Sequence, residues 1–303
     1  MQAYLDPGRD RPTLIMVENI CYSHAADLEG NPLDLKMSII SARHRPGGRG
    51  NPAPKAPAIL WLNGCGWRTP EGLWSMMVPE LTFLADSGYI VACVQYRTSD
   101  QGKFPAQIVD VKTAIRFLRA NSEMYGVDPD RIGVFGRSAG GHLASLAAMN
   151  TRDFLSEEWE EYSSDVQAAC DMFGPADLTL TIAHSLEKLD DPQYRWHRME
   201  DTYDAMLLGW EGSTDRLMEK AKIASPINYI NDGMCDILIM HGEEDGTVPL
   251  SVSEKFYSQL VKQDREDHAD FYVLRHGGHG TPEFYQESVR RILLRFFDRH
   301  LKD

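Results

Sequence analysis

No Cys-x-x-Cys pair occurs in this 303-residue chain, and its 5 cysteines (Cys21, Cys65, Cys93, Cys170 and Cys235) are odd in number. A zinc ribbon and a disulfide framework are therefore not indicated. Cys93, Cys170 and Cys235 lie in or beside apolar runs, where a thiol behaves as a small hydrophobe, and this suits a reducing compartment. Positive charge is also scarce: 31 Lys and Arg stand against 45 Asp and Glu, a net charge of −14. A surface that acidic repels phosphate backbones and anionic lipid, so neither nucleic acid nor a membrane is expected as a partner. It mildly disfavours strongly anionic substrates too, unless a local basic patch overrides it. No apolar stretch is long enough to cross a bilayer. Residues 1–6 show neither the basic nor the apolar region of a secretory signal. The expected location is the cytoplasm, or the periplasm or exterior if a signal peptide has been trimmed. Internal repeats and low-complexity tracts are missing as well.

What the chain does have is a hydrophobic share of 43%, enough for a full core. Leu14–Ser23 and Leu33–Ala42 read as strands of an antiparallel hairpin, turned at Glu29-Gly30-Asn31-Pro32. Residues 43–57, punctuated by Gly and Pro, read as a surface loop. Short apolar runs follow at Ala58–Leu62, Tyr89–Tyr96, Ile132–Phe135, Val166–Phe173, Asp236–Met240 and Phe271–Leu274. Helical patterns separate them: residues 74–87, a face at 108, 111, 115 and 118, an Ala- and Leu-rich run after Ser138, and a last helix from Thr281-Pro282 with apolar positions 289, 292, 293, 296 and 297. Asp128–Arg131 reads as a turn into the strand at 132, and Ser251-x-x-Glu254 as a capping box. Strands alternating with helices predict a mainly parallel sheet, with an antiparallel N-terminal hairpin and helices on both faces. One domain over residues 1–303 is expected. Residues 179–222 carry aromatics and mixed charge without a clean strand, and predict a small helical lid inserted over the site.

The stretch that organises the rest is Gly136-x-Ser138-x-Gly140, set between an apolar strand and a helix. In that context the pattern is a nucleophile elbow: a tight strand-to-helix turn that lifts a serine hydroxyl out of the sheet edge. Flanking glycines relieve the crowding of such a turn because they lack a Cβ. Serine needs a base, and the base needs a group that holds its tautomer. Glu243, Glu244 and Asp245 compete for the acid; Asp245 is preferred because it precedes Gly246 and can turn back toward the sheet edge. His276 and His279 compete for the base. His276 sits near the strand end and is expected to be partly packed, whereas His279 lies beyond two glycines on a loop able to reach the site. A zinc site from these two lacks a third ligand at a usual spacing. His142, four residues after Ser138, shares its helix face and reads more readily as a packing histidine than as the base. An acyl-transfer oxyanion needs fixed N–H donors. Ala139 supplies one, and the small-residue loop Asn63-Gly64-Cys65-Gly66-Trp67 supplies two from Cys65 and Gly66. A positive φ at Cys65 would carry a cost.

These residues, with Tyr96-Arg97, Phe104-Pro105-Ala106, Val248-Pro249 and Gly280, resemble the α/β-hydrolase superfamily, in its esterase/lipase branch with a His-Gly-Gly-Gly type oxyanion loop. Within that branch the chain is similar to microbial acetyl xylan and feruloyl esterases over roughly residues 14–300. Asn63 stands for the usual His, Cys65 for a Gly, and Arg137 for a frequent Asp; Arg97 and Asp110 match structural positions. The resemblance implies the α/β-hydrolase fold and a serine esterase with Ser138 as nucleophile, Asp245 and His279 completing the triad, and no metal or cofactor. It implies short acyl or hydroxycinnamoyl esters, as on plant polysaccharide, as substrates. Trp67, Trp74 and the aromatics of the 179–222 insertion (Tyr194, Trp196, Tyr203 and Trp210) are candidate substrate-wall residues. An amide or formamide hydrolase with the same triad, or a silent ligand-binding homologue, are the alternatives.

Overall fold

The computed structural model describes residues 12–43, 55–68 and 77–302. Most of the loop expected at 43–57, the start of the helix expected at 74–87, and Trp74 lie outside them. Eight strands form a single sheet: β1 (Thr13–Ala26), β2 (Pro32–Arg43), β3 (Ala56–Leu62), β4 (Ile90–Val94), β5 (Val127–Arg137), β6 (Ala168–Met172), β7 (Asp236–Gly242) and β8 (Ala269–Leu274). Their order is β1-β2-β4-β3-β5-β6-β7-β8. The first two pairings are antiparallel and the remaining five are parallel. β3, β4 and β6 are buried almost throughout, as continuous apolar runs must be when helices cover both faces. The edge strand β1 is instead largely exposed, and its register shifts twice, which blunts it against further pairing.

The helices are α1 (Val78–Asp86), α2 (Ala106–Ala120), α3 (Ser122–Tyr125), α4 (Ala139–Ala148), α5 (Leu178–Lys188), α6 (Tyr203–Leu208), α7 (Thr214–Ala224), α8 (Leu250–Lys262) and α9 (Glu287–Leu301). Two cores result. Ile108, Val111 and Ile115 of α2, Leu143 of α4 and Phe256 of α8 fill one face of the sheet. Leu81 and Leu84 of α1 and Leu293, Phe296 and Phe297 of α9 fill the other. Among the described residues no helix is long and apolar enough to cross a membrane.

Three local expectations are corrected. The stretch 128–131 is not a turn before the strand but a bulge within β5, where the pairing jumps from Ala56–Val127 to Ala58–Ile132. Helix α8 starts on Pro249 with no side-chain cap, so Ser251 and Glu254 do not form a capping box. Pro282–Tyr285 is a separate short 3₁₀ turn, and the last helix begins only at Glu287.

The order β4-β3-β5 matters for function. The chain leaves β3 to lay β4 on one side and returns to lay β5 on the other. A crevice opens outside the carboxyl ends of the strands where that direction reverses. The loop after β3 and the turn after β5 both lie there.

Candidate active site

Ser138 caps α4 with φ 53° and ψ −122°, a left-handed conformation that non-glycine residues adopt only under constraint. The constraint is the elbow. A Cβ on Gly136 would collide with the carbonyl of Gly140, and one on Gly140 with the carbonyl of Leu62. The turn is pinned at its start by the Ser138 N–H, which donates to Met172 O on β6 at 2.9 Å.

β7 and β8 deliver the other two groups. Their loops abut so closely that a Cβ on Gly242 would collide with the carbonyl of Gly277. Asp245, three residues past β7, is buried, and its Oδ1 accepts the N–H groups of Thr247 (2.8 Å) and Val248 (2.9 Å). Its Oδ2 faces Nδ1 of His279 at 2.7 Å. Nε2 of His279 lies 2.8 Å from Ser138 Oγ. A carboxylate at Nδ1 places the proton there and leaves Nε2 free to accept the serine proton. Burial alone would push the Asp245 carboxyl up, but hydrogen bonds from His241 and His279 hold it well below the usual carboxylate range. Phe173, itself at φ 47°, packs edge-on against the His279 ring with centroids 4.8 Å apart.

The structure thus brings Ser138, Asp245 and His279 together and separates their competitors. His276 is not partly packed: its φ of 60° swings the ring outward, its side chain is 81% exposed, and it meets Glu244 at 3.2 Å. His142 is fully buried, with Nε2–H donating to Ala224 O at 2.7 Å and Nδ1 accepting from Trp67 Nε1 at 3.2 Å.

The loop after β3 presses on the elbow, so that a Cβ on Gly64 would stand 2.9 Å from Arg137 O and 3.2 Å from Ser138 Cβ. Cys65, Gly66 and Trp67 are all left-handed, at φ 77°, 62° and 55°. For Cys65 this costs about 1–2 kcal/mol, and its side chain is exposed in the cavity. Ala139 opens α4, and the first N–H groups of a helix have no partner within it. Asn63 braces the loop through its backbone carbonyl, which accepts the Tyr96 hydroxyl at 2.7 Å, and not through its amide, whose Nδ2 is buried without a partner. Arg137 turns toward the α1/α9 layer, over the rings of Trp61 (5.0 Å) and Tyr285 (5.3 Å). Arg97 forms a bidentate pair with Asp110 and lies outside the cavity.

A cavity of about 600 Å³ joins these groups, lined also by Thr181, Ser185, Tyr194, Tyr203 and Asp204 from the segment between β6 and β7. Trp67 lines it too, yet is only 3% exposed. Three contributors were not assigned a role from sequence: His241, Phe173 and Asp204. His241 carried a signal, as a titratable residue at the end of an apolar strand. Its Nε2–H donates to Val248 O at 2.9 Å and stands 3.4 Å from Asp245 Oδ2, while Nδ1 meets Ser253 Oγ at 2.7 Å. Among the described residues one trio, Cys21, His24 and Asp34, holds possible metal-ligand atoms within 4.8 Å of one another; it lies on the N-terminal hairpin, away from this cavity.

A sheet in this order with a serine at this elbow defines a class: the chain has the α/β-hydrolase fold. More narrowly it belongs to the BD-FAE family, whose model matches residues 49–260. It is 33% identical over 227 residues to Esterase LipQ of Mycobacterium tuberculosis, an alignment covering 71% of this chain and 51% of that protein. The chain spans about half the length of the curated relatives it matches. Among solved structures it is similar to a truncated carbohydrate esterase from gut microbiota, with a TM-score of 0.77, 25% identity, and 98% and 99% of the two chains covered. It also matches a bifunctional GH43-CE protein of Bacteroides eggerthii, with a TM-score of 0.72, 28% identity, 94% of this chain and 38% of that one.

Proposed function

We propose that this protein hydrolyses carboxylic esters through an acyl-enzyme, without a metal or cofactor. The observation that carries the reading is the continuous relay Ser138–His279–Asp245, with links of 2.8 and 2.7 Å. Ser138 Oγ attacks the ester carbonyl while His279 Nε2 takes its proton. Asp245 keeps the imidazole in one tautomer and stabilises its charged form. Backbone N–H groups of Ala139, Cys65 and Gly66 receive the oxyanion; the free start of α4 and the close packing of the 63–67 loop on the elbow support this. His279 then protonates the leaving alcohol, and water, activated by the same ring, releases the acid.

The substrates we infer are esters of short acyl groups such as acetyl, or of feruloyl, carried on carbohydrate such as plant xylan. Support comes from the names of the relatives, a carbohydrate esterase among them. The test is a panel of p-nitrophenyl acetate, methyl ferulate, acetylated xylan and an N-formyl or peptide amide. Turnover of esters is expected; turnover of the amides alone would overturn the reading.

A further inference from the structure

The cavity in front of Ser138 has two unlike walls. One is the elbow with the 63–67 loop. The other comes from the segment between β6 and β7: Thr181 and Ser185 of α5, Tyr194 and Trp196 of the turn after it, and Tyr203 and Asp204 of α6. The ester chemistry uses none of these six.

Asp204 is the unusual member. It lines the cavity yet is only 6% exposed. The carboxyl accepts the Thr181 hydroxyl at 2.9 Å and its own backbone N–H, and among the described residues it has no ion-pair partner. Burial pushes this carboxyl up to about 6. A buried carboxylate without a counter-charge is costly unless further donors reach it. Beside it, Ser185 Oγ and Tyr194 OH share a 3.0 Å hydrogen bond, and each hydroxyl can both donate and accept. Half-buried Trp196 and Tyr203 meet edge to face with centroids 5.0 Å apart. Tyr203 also closes on the oxyanion loop: a Cβ on Gly66 would collide with its ring. The wall is therefore tied directly to the loop beside the reacting carbonyl.

Hydrogen-bond acceptors, two-way hydroxyls and aromatic edges in one pocket suit a molecule with apolar C–H faces and a rim of hydroxyls. An acetyl group has no use for such a wall. We propose that this wall is the subsite for a polyhydroxylated leaving alcohol, a sugar ring, with Asp204 accepting hydrogen bonds from its hydroxyls. The proposal rests on the ester-hydrolase reading above and assigns the alcohol side of the substrate to α5 and α6.

The experiment compares the full chain with Asp204→Asn and Asp204→Ala on p-nitrophenyl acetate, whose leaving group has no hydroxyl to spare, and on a monoacetylated methyl xyloside. The readout is the ratio of kcat/KM on the xyloside to that on the aryl ester. Loss of a charged acceptor lowers this ratio roughly 10- to 100-fold, mainly through KM, and the Asn variant, which can still meet Thr181, loses less than Ala. A structural role that merely joins α5 to α6 would lower both substrates together and leave the ratio unchanged, and that result overturns the subsite. Wild-type protein that hydrolyses neither ester would overturn the ester reading itself, and the subsite with it.

Discussion

The indole N–H of Trp67 donates to Nδ1 of His142 across 3.2 Å, with the two rings at 90°. The other ring nitrogen of His142 is committed to Ala224 O, so the imidazole is neutral and has no free lone pair for catalysis. One side chain thereby ties three pieces around the nucleophile: the oxyanion loop, helix α4 and the end of α7. Trp67, expected as a substrate wall, is held chiefly as part of this brace.

The brace predicts a pH dependence of stability. Burial lowers His142 from 6.5 to about 4. Between those values the unfolded chain binds a proton that the folded one refuses, so stability is full above pH about 6.5 and is lost as pH falls toward 4, by up to ~3 kcal/mol. His142→Gln should be less stable at pH 7, and its deficit should shrink as pH falls toward 4. Urea unfolding across that range checks this; a deficit that stays constant would contradict a neutral His142.

Removing the nucleophile, the base or the acid should each be severe and not additive. Ser138→Ala and His279→Ala should each lower kcat by ~10⁴-fold or more, and the double variant should be little worse than either. Asp245→Asn should leave the fold intact and still lose orders of magnitude, because the wrong His279 tautomer is then favoured. Steady-state kinetics with circular dichroism as a folding control decide it.

His241 should behave as a positioning residue. It touches Asp245 and Val248 but not the cavity. His241→Gln should lower kcat roughly 10- to 100-fold by loosening the Asp245 loop, with KM nearly unchanged. An equal effect on KM would place its role elsewhere.

Cys65 combines an exposed thiol in the cavity with φ 77°. Cys65→Gly should raise stability by about 1 kcal/mol through relief of that conformation, read as a shift of the urea midpoint. Iodoacetamide should inactivate the wild type slowly, because partial desolvation at the cavity wall pushes this thiol up, and should leave the glycine variant active.

Much of this fold was legible because it is local. The buried strands are unbroken apolar runs, and the elbow is bracketed by glycines that only a tight turn requires. The choice of His279 over His276 followed from two intervening glycines. The exposure of His276 did not, since it depends on a backbone reversal stabilised by contact with Glu244. Between β6 and β7 no periodicity separates inner from outer faces. The aromatics of this stretch were candidates for the cavity wall, and Tyr194, Trp196 and Tyr203 line it; Asp204 was not, because its place depends on the contact with Thr181 of α5, which leaves no local trace. Nor does the sequence around Asn63 show that the Tyr96 hydroxyl, thirty-three residues on, reaches its carbonyl.

The most direct test is to offer the folded protein a fluorophosphonate probe and locate the adduct by peptide mass spectrometry. Labelling is expected on Ser138 alone, abolished in Ser138→Ala and slowed at least ~100-fold in His279→Ala. Folded wild-type protein that takes no label, or takes it on another residue, would contradict the account.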